Sequence, residues 1–229
     1  RPEEAIRLIS RAIRARGTDP QYFTNLGVAL NKVGRHADAV DALDRALALN
    51  PQLPGALSNR GMALKGLGRY EAAAQSYRAA IALQPNEAGM YCNLGNVLVD
   101  AGQLQEAEAA FEQARQLRQW HPTAIGGLCM VYEETNRLAE AESLSRRAVG
   151  AVPGEPQFHY RLGRALGLLR RPYEAAAAFR AAVRLKPDYG VAWCYLAETV
   201  RRDSDDDEVS AIRTLAESTS LDPDERAFA

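Results

Sequence analysis

Asn25, Asn59 and Asn93 stand 34 residues apart, so one asparagine occupies the same place in three successive copies of a repeated element. An asparagine amide both donates and accepts, and a row of them can pair with the backbone of an extended peptide without reading its side chains. Further along, the corresponding stretches turn basic, with Arg161, Arg164 and Arg201. Arginine makes forked bonds to carboxylate, sulfate or phosphate groups, which suits this end to an acidic segment. Residues for bond-making chemistry are harder to find. His36, His121 and His159 are scattered and lack a companion nucleophile, and neither a phosphate-cradling glycine loop nor a nucleophile elbow is present. Glu133, Glu134 and the run Asp203, Asp205, Asp206, Asp207 and Glu208 read as solvated charge at helix ends, without the spacing of a calcium loop. We therefore expect no catalytic residue, no cofactor and no metal site, and the chain as given reads as a non-enzyme.

The elements that must carry these side chains are written in the same period. Ala5, Ala39, Ala73, Ala107, Ala141 and Ala175 recur every 34 residues, and Ala12, Ala46, Ala80, Ala114, Ala148 and Ala182 keep the same step. Gly27, Gly61, Gly95, Cys129, Gly163 and Ala197 run in phase with them, and Pro51, Pro85, Pro153 and Pro187 close four of the units. Such self-similarity is the mark of a solenoid, whose units bury their apolar faces only against neighbours. Within a unit, Phe23, Leu26 and Leu30, or Tyr91, Leu94 and Leu98, fall on one face of a first helix. Gly34, Gly68, Gly102 and Asn136 stand where a left-handed residue ends it. Asp38, Glu71, Glu106, Glu140 and Glu174 then open a second helix, where the dipole favours acidic groups. The small residues imply closely approaching helices, with a glycine of the first expected to face an alanine of the second.

The spacing of Phe23, Leu26, Gly27, Leu30, Ala39, Leu43, Ala46 and Pro51 resembles the tetratricopeptide repeat, a helix-turn-helix of this period. The resemblance implies an all-α fold, a right-handed superhelix of antiparallel helix pairs forming one domain over residues 1–229. Repeats are placed at 20–53, 54–87, 88–121, 122–155, 156–189 and 190–225, with 1–19 as the second helix of an earlier one. Three departures are local. Gln119 replaces a closing proline, Arg170-Arg171-Pro172 replaces a glycine turn, and the sixth repeat fits only with a turn two residues longer. In this family first helices line a concave groove, which would place Asn25, Asn59, Asn93, Asn96, Arg161, Arg164 and Arg201 as groove residues. The asparagine row is similar to the ladder by which the O-GlcNAc transferase superhelix holds substrate peptides. The clamp of chaperone-binding repeats fits poorly, since only Asn96 and Arg161 match its pattern of lysine, asparagine and arginine.

Composition narrows the partners. The net charge of −1 offers no basic footprint for nucleic acid, and no run approaches the roughly 20 apolar residues that span a bilayer. The expected partner is a protein or peptide, in part acidic, with neither nucleic acid nor membrane. Cys92, Cys129 and Cys194 lie on separate units and read as thiols of a reducing compartment, hence a cytoplasmic chain. Only Lys32, Lys65 and Lys186 are lysines among 28 basic residues, which points to a GC-rich bacterial source. Residue 1 falls inside a repeat, so the chain is expected to come from a longer protein, and its uncovered ends are expected to favour end-to-end self-association. The phrase DPDERA at 222–227 resembles the stretch that joins tetratricopeptide repeats to a bacterial sulfotransferase domain. Two function classes stay open: a scaffold that binds partner proteins, or the recognition arm of a sulfotransferase or, less favoured, a glycosyltransferase.

Overall fold

A computed structural model describes residues 2–16 and 19–201, which form twelve helices and no strand. The expected second helix of the sixth repeat lies within 202–229, outside the described residues. Helix α1 (Pro2–Arg16) precedes five helix pairs and a lone first helix. The pairs are α2 (Pro20–Lys32) with α3 (His36–Leu49), α4 (Pro54–Gly66) with α5 (Tyr70–Leu83), and α6 (Ala88–Asp100) with α7 (Leu104–Leu117). They continue as α8 (Pro122–Glu134) with α9 (Leu138–Ala151) and α10 (Pro156–Leu168) with α11 (Pro172–Leu185), followed by α12 (Gly190–Arg201). The helices divide into two compact units, the first ending at Gln119 and the second beginning at Trp120.

Each turn is made in the same way. Gly34, Gly68 and Gly102 take φ of 75°, 70° and 73°, and the next amide reaches back five residues, as in Arg35 N to Leu30 O at 3.0 Å. This closure satisfies carbonyls that a helix end would leave orphaned. Asn136 and Arg170 hold the same left-handed turn at φ 58° and 60° without a glycine. Arg35, Arg137 and Arg171 follow the turn, and each pairs with the acid three residues on, Asp38, Glu140 or Glu174.

Packing inside a pair places a large side chain nearest the glycine in four of the five pairs. Gly27 lies under Leu43, and a methyl added at Gly61, Gly95 or Gly163 would come within 2.8, 2.6 and 2.6 Å of the rings of Tyr77, Phe111 and Phe179. The nearest partner of these glycines is therefore a large side chain sixteen residues later. The fourth repeat differs: Cys129 replaces the glycine, and the residue opposite shrinks to Ser145, whose Oγ lies 3.2 Å from Sγ. The recurrent alanines are buried as well, Ala39, Ala73, Ala107, Ala141 and Ala175 being fully enclosed, and Ala141 O lies 3.9 Å from Sγ of Cys129, the residue in the glycine position.

Two stability outcomes follow. Gly95→Ala is expected to lower stability by about 1–3 kcal/mol through overpacking on Phe111, whereas Gly89→Ala, where an added methyl meets nothing within 4 Å, should not. Equal shifts in denaturation midpoint would contradict this packing. Arg170→Gly should gain up to about 1 kcal/mol, because the left-handed penalty of about 1–2 kcal/mol outweighs glycine's entropic cost of about 0.5–1. A chemical-denaturation series that finds a loss would count against it.

Candidate functional site

In the first unit the three asparagines sit at the sixth residue of α2, α4 and α6. Asn25 and Asn93 are exposed and Asn59 is half-buried. Asn25 Oδ1 accepts from Gln21 Nε2 at 3.1 Å, which leaves its own Nδ2 to donate. Asn59 does the reverse, donating Nδ2 to Gly55 O at 2.7 Å and leaving Oδ1 to accept. Asn96 is half-buried one turn beyond Asn93. Met62, exposed on α4 one turn beyond Asn59, offers this face an apolar contact.

Polar side chains near the ends of first helices tie one repeat to the next. Asn31 donates Nδ2 to Asn59 O at 2.9 Å, and its Oδ1 lies 3.3 Å from His36 Nδ1. Lys65 Nζ pairs with Asp100 at 3.1 Å. Glu133 pairs with Arg164 at 2.7 Å. These three occupy equivalent positions at the 34-residue step apart from a gap at Val99.

That last pair corrects the expectation for Glu133, which is not solvated charge. Its side chain is 5% exposed, and Oε1 has no hydrogen-bond partner. Burial pushes its carboxyl above the ordinary value, Arg164 and Arg161 pull it back, and Glu134 adds to the rise. Arg164 is accordingly part of a built cluster: its guanidinium also lies 5.3 Å over the Tyr195 ring. Arg161 lies 5.5 Å over the Tyr160 ring and close above Gly126, where a methyl would stand 3.4 Å from Nε. Tyr160, Phe179, Tyr189 and Tyr195 contact one another below the two arginines, with centroids 5.4 to 6.1 Å apart. Arg201 closes α12, and its side chain lies outside the described residues.

The structure thus brings Arg161 and Arg164 together, and with Asn25, Asn59 and Asn93 it sets one asparagine on each first helix of the first unit. The sequence search missed Glu133 and the aromatic cluster. The signal for Glu133 was present in the polar residues Asn31 and Lys65 at its equivalent positions. Two of the histidines are placed for structure: His36 joins Asn31, and His159 Nε2 lies 2.8 Å from Pro153 O. Burial raises the thiols of Cys92 and Cys129 to about 11, so neither is a ready nucleophile. No described helix is long and apolar enough to cross a membrane.

Sequence profiles described as tetratricopeptide repeats, or TPR repeats, match residues 1–54, 63–102, 98–166 and 156–189. The chain belongs to the tetratricopeptide-repeat proteins. Solved structures agree with this TPR assignment. A TPR protein from Parabacteroides merdae superposes with a TM-score of 0.78 at 15% identity, covering 97% of this chain and 88% of that one. TTC0263 of Thermus thermophilus gives 0.63 at 23% identity, over 80% of this chain and 99% of its own. YrrB, described as a TPR protein with an unusual peptide-binding site, gives 0.60 at 22% identity, over 80% and 95%. At such identities the likeness shows the fold alone. No curated protein matches the chain by sequence.

The raised carboxyl of Glu133 has a measurable sign. The native state holds this proton more tightly than the unfolded chain, so protonation favours folding. That stabilisation is complete below the ordinary glutamate value of about 4.3 and is lost as pH rises through the higher native value. Glu133→Gln removes the titration. Thermal midpoints from about pH 4 to 7 should therefore move in the variant's favour relative to the parent as pH rises; a constant difference would contradict the burial argument.

Proposed function

We propose that this TPR chain is a non-catalytic module that holds an extended segment of a partner protein on the first-helix face of the first unit. The observation that carries the reading is the recurrence of an asparagine at the same helical position in α2, α4 and α6. Their amides face different tasks, Asn25 with a donor to spare and Asn59 with an acceptor, and an extended backbone presents C=O and N–H groups in alternation. The description of YrrB as a peptide-binding TPR protein supports the same class of partner.

Three neutral hydrogen bonds contribute a net ~0.5–1.5 kcal/mol each, whereas micromolar affinity requires about 8 kcal/mol. Further contacts are needed, and exposed Met62 together with Asn96 supplies the nearest candidates. The second unit offers a separate basic spot for an acidic segment at Arg161, since Arg164 is already balanced by Glu133. A second reading makes the module the recognition arm of a sulfotransferase, or less so of a glycosyltransferase. The phrase at 222–227 favours the sulfotransferase, and the likeness of the asparagine row to the O-GlcNAc transferase ladder favours the glycosyltransferase.

Peptides selected against the protein from a displayed library provide the test. The triple variant Asn25→Ala, Asn59→Ala, Asn93→Ala should weaken peptides of unrelated sequence alike, by about tenfold or more, as three lost bonds of at least ~0.5 kcal/mol imply. Arg161→Gln should weaken only acidic peptides and flatten their salt dependence. Unchanged affinity in both variants would remove this face from consideration.

A further inference from the structure

The ties between repeats identify a place where one is missing. At the position of Asn31, Lys65 and Glu133 the fifth repeat has Gly167, which reaches across to nothing; a methyl added there would meet no atom within 4 Å. The second helix of that repeat also opens differently. His36, Tyr70, Leu104 and Leu138 begin α3, α5, α7 and α9, but Pro172 begins α11. In the first repeat the corresponding space is occupied by Asn31, bonded to Asn59 O, and by the His36 ring, which packs at Gly66. In the fifth the two smaller residues leave a cavity of about 540 Å³ between α10, α11 and α12, with Phe179 and Tyr195 among its walls. That volume falls within the roughly 300–1,000 Å³ of sites that enclose a ligand.

We infer that this cavity is a binding site for one bulky apolar side chain, preferentially aromatic, presented by a peptide segment of a partner. The walls favour it: the half-buried Tyr195 ring is stacked on Phe179, with centroids 5.7 Å apart at 21°, and Gly167, where an added methyl would meet nothing within 4 Å, lets an incoming ring approach the backbone. Leu168, 46% exposed at the edge, gives the mouth a second apolar surface. Charge selects the neighbour of that side chain. Arg164 is neutralised from behind by Glu133, whereas Arg170 is held at the mouth in a left-handed turn and exposed. An acidic residue beside the apolar one matches it. Glu198 also lines the cavity, so affinity comes from apolar burial and the acidic neighbour serves orientation. This site rests on the proposed function only in taking a peptide, and it shares no residue with the asparagine face.

The experiment is an NMR titration of the full chain, following Leu168 and Thr199 methyl signals, with the probes Ac-Gly-Phe-Asp-Gly-NH2 and Ac-Gly-Ala-Asp-Gly-NH2. The phenylalanine peptide is expected to shift both signals with at least a tenfold lower Kd than the alanine peptide. Gly167→Leu, which fills the space, should abolish that preference while leaving signals elsewhere in place. Pro172→Tyr restores the residue type of Tyr70 and serves the same purpose if the first variant does not fold. The asparagine triple variant should bind the phenylalanine peptide as the parent does, which separates this site from the asparagine face. Equal Kd values for the two peptides, no shift at Leu168 and Thr199, or undiminished binding after filling the space would each overturn the inference, including the case where the chain's own residues beyond Arg201 occupy the cavity.

Discussion

The close seating of a large side chain over a glycine is the constraint on which four of the five helix pairs depend. Leu43 on Gly27, Tyr77 on Gly61, Phe111 on Gly95 and Phe179 on Gly163 set how nearly the second helix approaches the first. A packed interior responds to the combined volume at a contact rather than to the identity of either residue. The fourth repeat lacks this seating, with two small side chains, Cys129 and Ser145, meeting at 3.2 Å instead. With that separation repeated, the outer positions of successive first helices come into register within a unit, and side chains 34 residues apart become a row.

Polar ties between neighbouring repeats act on top of this apolar frame. Asn31, Lys65 and Glu133 each leave their own helix and finish on the next repeat, at Asn59 O, Asp100 and Arg164 respectively. A half-buried ion pair such as Lys65 with Asp100 is worth little in energy, but it occupies space. The buried carboxyl of Glu133 is costly to desolvate and commits Arg164 to one place against the Tyr195 ring. Individuality in a repeat protein of this kind thus arises as much from what a repeat omits as from what it adds, as Gly167 and Pro172 show.

Most of the fold could be read from period and chemistry before any coordinates. The left-handed turns at Gly34, Gly68, Gly102 and Asn136, the acids opening the second helices and the helix starts all answer to local rules of capping and dipole. The partner of each glycine could not be read in the same way. Both the alanine and the large residue recur with the same 34-residue step, so periodicity alone does not say which of two conserved-phase positions lies across the contact. The same limit applied to charge. Glu133 beside Glu134 looked like a solvated pair, yet a helix turns about 100° per residue and sent the two to different surroundings.

The sequence by itself determined the helical class, the repeat length, the turn positions and the asparagine row, because each follows from residues near one another in the chain. Only the tertiary structure decided which cations are committed. Arg164 became one half of a buried pair and Arg161 settled over Tyr160 and Gly126, through partners on other helices. It likewise decided that Gly167 borders an opening rather than a contact. Burial and cavity depend on what several helices bring to one point, and no spacing along a single helix contains that information.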